Sequence, residues 1–402
     1  MKSTAHAPID LLVACCVPVL SDSALARIRS LVTPHTDWAA LADLAAFYRA
    51  EPILHDRLQS ADLSDPPAAA LLARLRNTQL ANAVRSARLS HALGLVAQSL
   101  EAAAIPALFF KGPILAQEAY DDPSLRQFDD LDVLVPGPYL TRARTVIEAL
   151  GYSRILGLPP SVEASPFRPA TPLILRHHSG DHDVDLSGRL MHDYFSFRIA
   201  PTALWDEART VTLDGIPLRT LSREVLFLFL CVHGTKHLWA RPCWMADLAG
   251  LLWRQADHMD WDRVMALAHV GDGRRMLDLG VALAVQTYGA PAPPALGRGQ
   301  AAHRSVAALQ GEVMRRWAEE AGQPERDDTA RLRFHLRARA RLCSRLRYLL
   351  VRGLRPSHND WRAVRLPGPL FPLYYPLRLL RLGAVGLRAL VRSAVSSRRT
   401  TR

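Results

Sequence analysis

Residues Phe109–Val135 read FFKGPILAQEAYDDPSLRQFDDLDVLV. Asp130 and Asp132 alternate with apolar Leu131 and Val133. That two-residue period predicts a short strand with both carboxylates on one face. Upstream, the apolar run Ala107–Phe110 ends in Lys111-Gly112 and is followed by Pro113–Tyr120, which has the composition of a helix. Strand, glycine turn, helix and Asp-x-Asp strand form an arrangement that can hold a nucleoside triphosphate and its magnesium. The glycine lets backbone N–H groups approach phosphate, and a helix N-terminus favours negative charge. Paired carboxylates supply the hard oxygen ligands that Mg²⁺ prefers. Taken alone, an Asp-x-Asp is more often a solvated strand end.

Two further blocks carry chemistry. HDVDL, His182–Leu186, places Asp183 and Asp185 on one strand face. HGTKHLWARPCWMADLAGLL spans His233–Leu252. Its His233 and His237 are four apart and share a helix face, Lys236 lies beside them, and Arg241 and Asp247 follow. Cys231 and Cys243 raise a zinc alternative, which we discount because the spacing matches no finger or zincin pattern and no Glu follows His233. A helix whose histidines cap or pack is the plainer reading of this block.

The opening stretch resembles the nucleotidyltransferase superfamily that includes DNA polymerase β, and within it a bacterial branch of uncharacterised nucleotidyltransferases. The resemblance rests on Lys111, Gly112, Tyr120, Arg126 and Asp130-Leu131-Asp132. It extends to Val184-Asp185-Leu186, with Arg189 shortly after, and to the His-Gly-x-Lys-His block with Asp247. The chain departs from the pattern twice. Gly112-Pro113 replaces the usual Gly-Ser turn, and Ser187-Gly188 replaces a His-Trp pair.

The resemblance implies an α+β fold with a polymerase β-like core built on a mixed sheet and flanked by helical regions. It implies Asp130, Asp132 and Asp185 as catalytic metal ligands for Mg²⁺, with Mn²⁺ as the alternative ion, and an NTP as donor. Lys111, Gly112 and Arg126 would bind the triphosphate. Arg189, His233, Lys236, His237 and Asp247 would contact or support the acceptor. The expected function is metal-dependent transfer of an NMP to a small molecule, peptide or protein hydroxyl. The alternatives are an inactive nucleotide-binding subunit and a membrane-surface adaptor of a biosynthetic assembly.

Charge usage supports the motif reading and separates the tail. The chain has 47 arginines and three lysines, Lys2, Lys111 and Lys236, so both internal lysines fall inside candidate motifs. A flexible ammonium suits phosphate contact in a tight turn, where a planar guanidinium is not equivalent. The net charge of +12 is uneven: residues 331–402 hold 18 arginines and one acid, Asp360, giving +17 against −5 for residues 1–330. The high isoelectric point therefore describes the tail and is no sign of a nucleic-acid-binding enzyme. The tail carries a basic amphipathic helix at about 377–395 with Phe371, Tyr374 and Tyr375 as aromatic flanks; the pattern suits an anionic membrane surface, an acidic protein partner or the body of this chain, or else a solvated tail.

Length predicts two or three domains, and the pattern along the chain marks an N-terminal helical region over 1–100, an α/β core over 101–220 with a loop at 152–172, a helical region over 221–330, and the basic helical tail over 331–402. Leu89, Leu93, Val96 and Leu100 form one apolar stripe on a helix opened by Pro66-Pro67, and Ser222 is an expected N-cap. Five cysteines without regular spacing argue against a disulfide framework. The apolar run Ile9–Leu20 is too short to span a bilayer and has Asp10 inside it. These features lead to a cytoplasmic expectation, with peripheral attachment at the inner face of the membrane through the tail.

Overall fold

A computed structural model describes residues 8–63, 66–156, 173–191, 195, 197–294, 300–319, 328–356, 360, 363–364 and 366–383. Five strands form one sheet: Leu108–Phe110 (β1), Asp130–Leu134 (β2), Tyr152–Leu156 (β3), Leu173–His177 (β4) and Asp183–Ser187 (β5). Their order is β1-β2-β5-β4-β3. The sheet is mixed, because β2 and β5 run parallel while the other neighbours are antiparallel. Helices surround it, so the chain is α+β.

The register fixes the chemistry. Asp132 sits opposite Asp185 and Asp130 opposite Asp183, while Phe110 of β1 faces Asp132 from the other side. The helix Gly112–Ala119 links β1 to the approach to β2.

Two elements differ from what the sequence predicts. Tyr152–Leu156 is a strand paired with β4, not the start of a loop; its alternating Tyr-Ser-Arg-Ile-Leu buries Tyr152 against the sheet. Residues 157–172 of that expected loop lie outside the described residues. Arg209–Leu213 (β6) and Ile216–Thr220 (β7) form a hairpin absent from the expected elements. Its Asp214-Gly215 turn has φ of 48° and 80°, the left-handed pair that a two-residue hairpin turn requires.

Apolar burial holds the layers together. The long helix Pro66–Ala102 buries Leu89, Leu93, Val96 and Leu100 in one cluster with the sheet; each such side chain contributes roughly 1.5–3 kcal/mol. A second cluster gathers the N-terminal helices with Arg223–Lys236, Pro242–Gln255 and Arg274–Tyr288. Ser222 caps the first of these by accepting a bond from the Val225 N–H at 3.3 Å. The Pro242–Gln255 helix crosses Gly112–Ala119 so closely that a Cβ on Gly250 would lie 1.9 Å from the Ala119 carbonyl oxygen. This contact draws the helical block onto the edge of the sheet.

The basic segment begins on this block. Asp328–Arg337 buries Phe334 and His335, and Leu342–Leu354 follows it. Residues 374–383 are helical; the remainder of the expected 377–395 helix lies outside the described residues. Phe371 and Tyr374 are buried in a small cluster of their own, and Tyr374 donates to the Val364 carbonyl. Those two rings therefore cannot serve as surface anchors. Among the described helices, none is long and apolar enough to cross a membrane.

Candidate active site

A cavity of about 580 Å³ opens where the sheet edge meets the helical block. Lys111, Gly112, Arg126, Asp130, Asp132, Asp185, Arg189, His233, Lys236 and His237 all line it. Of the residues assigned a site role from the sequence, Asp247 is absent from the lining, as is Tyr120 of the family pattern.

The acidic floor follows from strand geometry. Asp130, Asp132 and Asp185 share one sheet face, and one ligand oxygen from each lies within 4.8 Å of the others. Asp183 is engaged elsewhere, its carboxylate accepting two bonds from Arg176 at 2.8 and 2.9 Å. The register thus assigns the third position to Asp185.

Burial makes this floor costly in charge. The Asp132 carboxyl is pushed up to about 6, mainly by burial, with Lys111 opposing and Asp130 reinforcing the shift. Asp185 is pushed up to about 7 by burial and then by the charges of Asp132 and Asp130. Lys111 Nζ donates to Asp132 Oδ1 at 2.8 Å. Burial acts to lower the Lys111 ammonium, but Asp132 and Asp130 outweigh it and hold its pKa above the ordinary lysine value. Asp132 Oδ2 is buried without a hydrogen-bond partner. Clustered hard oxygens, one orphaned, and a single lysine in direct contact form a donor set that a divalent cation fits.

Lys111 is held in an unusual backbone conformation, φ 57° and ψ −149°, as the cap residue of Gly112–Ala119. Few non-glycine residues adopt such angles, and strain of this kind concentrates at functional sites. Gly112 follows at φ +45°. Pro113 lacks an N–H, so the Gly-Pro departure removes one backbone donor from this helix N-terminus.

Arg126 has a second commitment. Its Nε and Nη2 donate to the two oxygens of Asp247 at 2.8 and 3.1 Å, and the Tyr120 hydroxyl donates to Asp247 Oδ1 at 3.0 Å. Burial disfavours the Arg126 charge, yet Asp247 beside it raises the pKa above the usual arginine value. Tyr120, Arg126 and Asp247 therefore clamp the sheet region to the helical block, and Asp247 positions Arg126 without facing the cavity itself.

The opposite wall carries Lys236, whose ammonium burial pushes down to about 7; Lys111 adds to the shift, while Asp185 and Asp132 oppose it. His233, His237 and Trp244 pack in tilted and edge-on contacts with ring centroids 4.7 to 5.6 Å apart. His335 Nε2 bonds the Lys236 carbonyl at 3.0 Å, and its Nδ1 meets the Tyr348 hydroxyl at 2.7 Å. The basic segment thus braces the turn that carries Lys236. Among the described residues, neither cysteine of the zinc alternative joins a metal-ligating group; burial pushes both thiols up, Cys243 to about 11.

The structure adds Arg49 to the cavity lining, from a region where the sequence shows no motif. It follows the helix Trp38–Tyr48 in a left-handed conformation, φ 58°, and pairs with Asp129, which Arg85 also contacts at 2.7 Å. Burial, then Arg241 and Arg85, lower its pKa. Arg49 and Arg241 bring guanidinium groups from two distant segments to the cavity lining, which single-motif reading could not collect.

A family model described as uncharacterised nucleotidyltransferase matches residues 34–289, nearly two thirds of the chain. Among solved structures, the solution structure of antibiotic-resistance factor ANT(2'')-Ia is similar at 14% identity and a TM-score of 0.33, covering 46% of this chain and 91% of that one. No curated protein matches the chain.

Proposed function

The chain belongs to the uncharacterised nucleotidyltransferase family, and we propose that it moves an NMP from an NTP to an acceptor hydroxyl on a polymerase β-like core. The carrying observation is the convergence of Asp130, Asp132 and Asp185, with Asp132 Oδ2 left unpartnered, on a cavity walled by Lys111 and Lys236.

In this reading Asp130, Asp132 and Asp185 hold Mg²⁺ or Mn²⁺. Bound there, the ion would neutralise phosphoryl oxygens and help align donor and acceptor. Lys111 and the Gly112 backbone meet the triphosphate, and Arg126, set by Asp247, adds charge as pyrophosphate departs. Asp185 also orients or deprotonates the acceptor hydroxyl. The acceptor enters along the helical wall, with Lys236, His233, His237 and Arg189 around it. Removing water from so closed a charge cluster strengthens each of these interactions.

The test is incubation with each labelled NTP, Mg²⁺ and a cell extract. Label appearing on an acceptor with matching pyrophosphate release supports the reading. Tight Mg²⁺-dependent triphosphate binding with no release under any condition would favour the inactive nucleotide-binding subunit, for which the departures at Pro113 and Ser187-Gly188 speak. In either case residues 331–402 serve location or partner choice, with an anionic membrane or an acidic protein as counterpart in preference to nucleic acid.

A further inference from the structure

Helix Leu342–Leu354 is oriented opposite to a core helix. Leu342, Leu346, Leu349, Leu350 and Leu354 are between 39% and 68% exposed, whereas Ser344 and Tyr348 are buried. At about 100° per residue the five leucines fall on one face. The inward side is anchored by polar contacts: Tyr348 bonds His335, and the Arg339 guanidinium lies 3.9 Å from the centre of the Tyr348 ring. A contiguous apolar face turned to solvent marks an interaction surface.

An arginine borders that face. By the same helical geometry Arg347 lies along one edge; Arg345 lies beyond the other edge and donates to the Arg339 carbonyl at 3.0 Å, while Arg352 turns inward to the Tyr348 hydroxyl. Leu370, Leu373, Leu379 and Leu380, in the segment that follows, are also exposed. The sequence pattern places this role on the helix beginning near Leu377. There, however, Arg378 is buried in an ion pair with Asp360 at 2.7 Å, and Arg381 pairs with the same carboxylate.

We propose that Leu342–Leu354 is a peripheral docking face for an anionic bilayer. Its leucines would enter the headgroup–acyl boundary, and the segment's arginines would reach lipid phosphates. Charge and apolar exposure together separate this occupant from a second copy and from nucleic acid. Two copies meeting through this face would bring their like-charged, arginine-rich segments together. Nucleic acid would leave the leucines in water. Because His335 ties this segment to the Lys236 turn, docking would hold the cavity at a fixed orientation to the surface.

The proposal is tested by cosedimentation of the full chain with vesicles of phosphatidylcholine alone or with about 30 mol% phosphatidylglycerol, at low and high salt. The protein should pellet with the anionic vesicles, and less so at high salt. Leu346→Glu with Leu350→Glu should cut the partition coefficient by about tenfold or more, with circular dichroism and triphosphate binding unchanged. If that variant folds poorly, Leu342→Ser with Leu346→Ser tests the same face more gently. Three results would overturn the proposal: equal binding to neutral and anionic vesicles at both salts, variants that sediment like the parent, or no sedimentation at all. Light scattering that shows a dimer dissolved by the same substitutions would also overturn it, by assigning the face to a second copy.

Discussion

Two buried ion pairs flank one cavity and differ in completeness. Arg126–Asp247 is saturated: Asp247 is fully buried, accepts two bonds from the guanidinium and receives a third from Tyr120. Lys111–Asp132 is open: one ammonium contacts one carboxylate oxygen, the other oxygen has no partner, and two more carboxylates crowd the same face. A saturated pair acts as a scaffold. An open pair is poised to accept a further positive charge, which a metal ion would provide. Sequence motifs do not distinguish them, since both are an acid and a base within the family pattern.

The largest expected difference is in activity. Asp132→Asn should reduce nucleotidyl transfer by at least about 10²–10³-fold, the scale of losing one group that stabilises charge in the transition state, with circular dichroism unchanged. Unaltered pyrophosphate release would refute the open pair's role. Asp247→Ala should act on the fold instead. Stranding the Arg126 charge in the interior should cost about 3–5 kcal/mol of unfolding free energy, read by urea denaturation, and a stable variant with wild-type melting would remove the scaffold reading.

Next is a pH effect confined to the open site. The Asp185 and Asp132 carboxyls stand at about 7 and about 6, above the unfolded value of 3.8. The folded chain therefore retains protons that the unfolded chain releases. The stability this provides is full below about pH 4 and is lost as pH rises through about 6 to 7. In EDTA at pH 8, Asp185→Asn should consequently melt higher than the parent, by on the order of 1 kcal/mol. Adding Mn²⁺ should stabilise the parent and not the variant, and a lower-melting variant in EDTA would contradict this account.

The smallest effect concerns Lys236, whose ammonium is pushed down to about 7. A triphosphate entering beside it favours the charged form, so binding near pH 8 should take up a fraction of a proton. Calorimetry in two buffers of different ionisation enthalpy measures that uptake, and Lys236→Met should remove it.

How much is legible in the sequence follows the same division. The period-two alternation of Asp130 and Asp132 and of Asp183 and Asp185 suffices to predict both strands and one shared face. The scarcity of lysine points to Lys111 and Lys236. Tyr120, Arg126 and Asp247 are visible only through family resemblance, and their clamp is not, because more than a hundred residues separate Asp247 from its partners. Arg49 gives no signal: it is one arginine among 47 in a helical region, and only folding brings it to the cavity. The Asp214-Gly215 dipeptide is a readable hairpin signal between alternating Val211/Leu213 and Ile216/Leu218; only Pro217 argues against the second run as a strand. Phe371 and Tyr374 resemble interfacial aromatics, but packing against their own local cluster buries them.

The most direct measurement is calorimetric titration of the parent and Asp132→Asn with a non-hydrolysable NTP analogue, in Mg²⁺ and in EDTA. The account predicts binding by the parent that requires Mg²⁺ and falls by at least about tenfold in the variant, as expected when one hard oxygen ligand is removed. Binding of equal strength in EDTA, or equal strength in both proteins, would contradict a metal site on Asp130, Asp132 and Asp185.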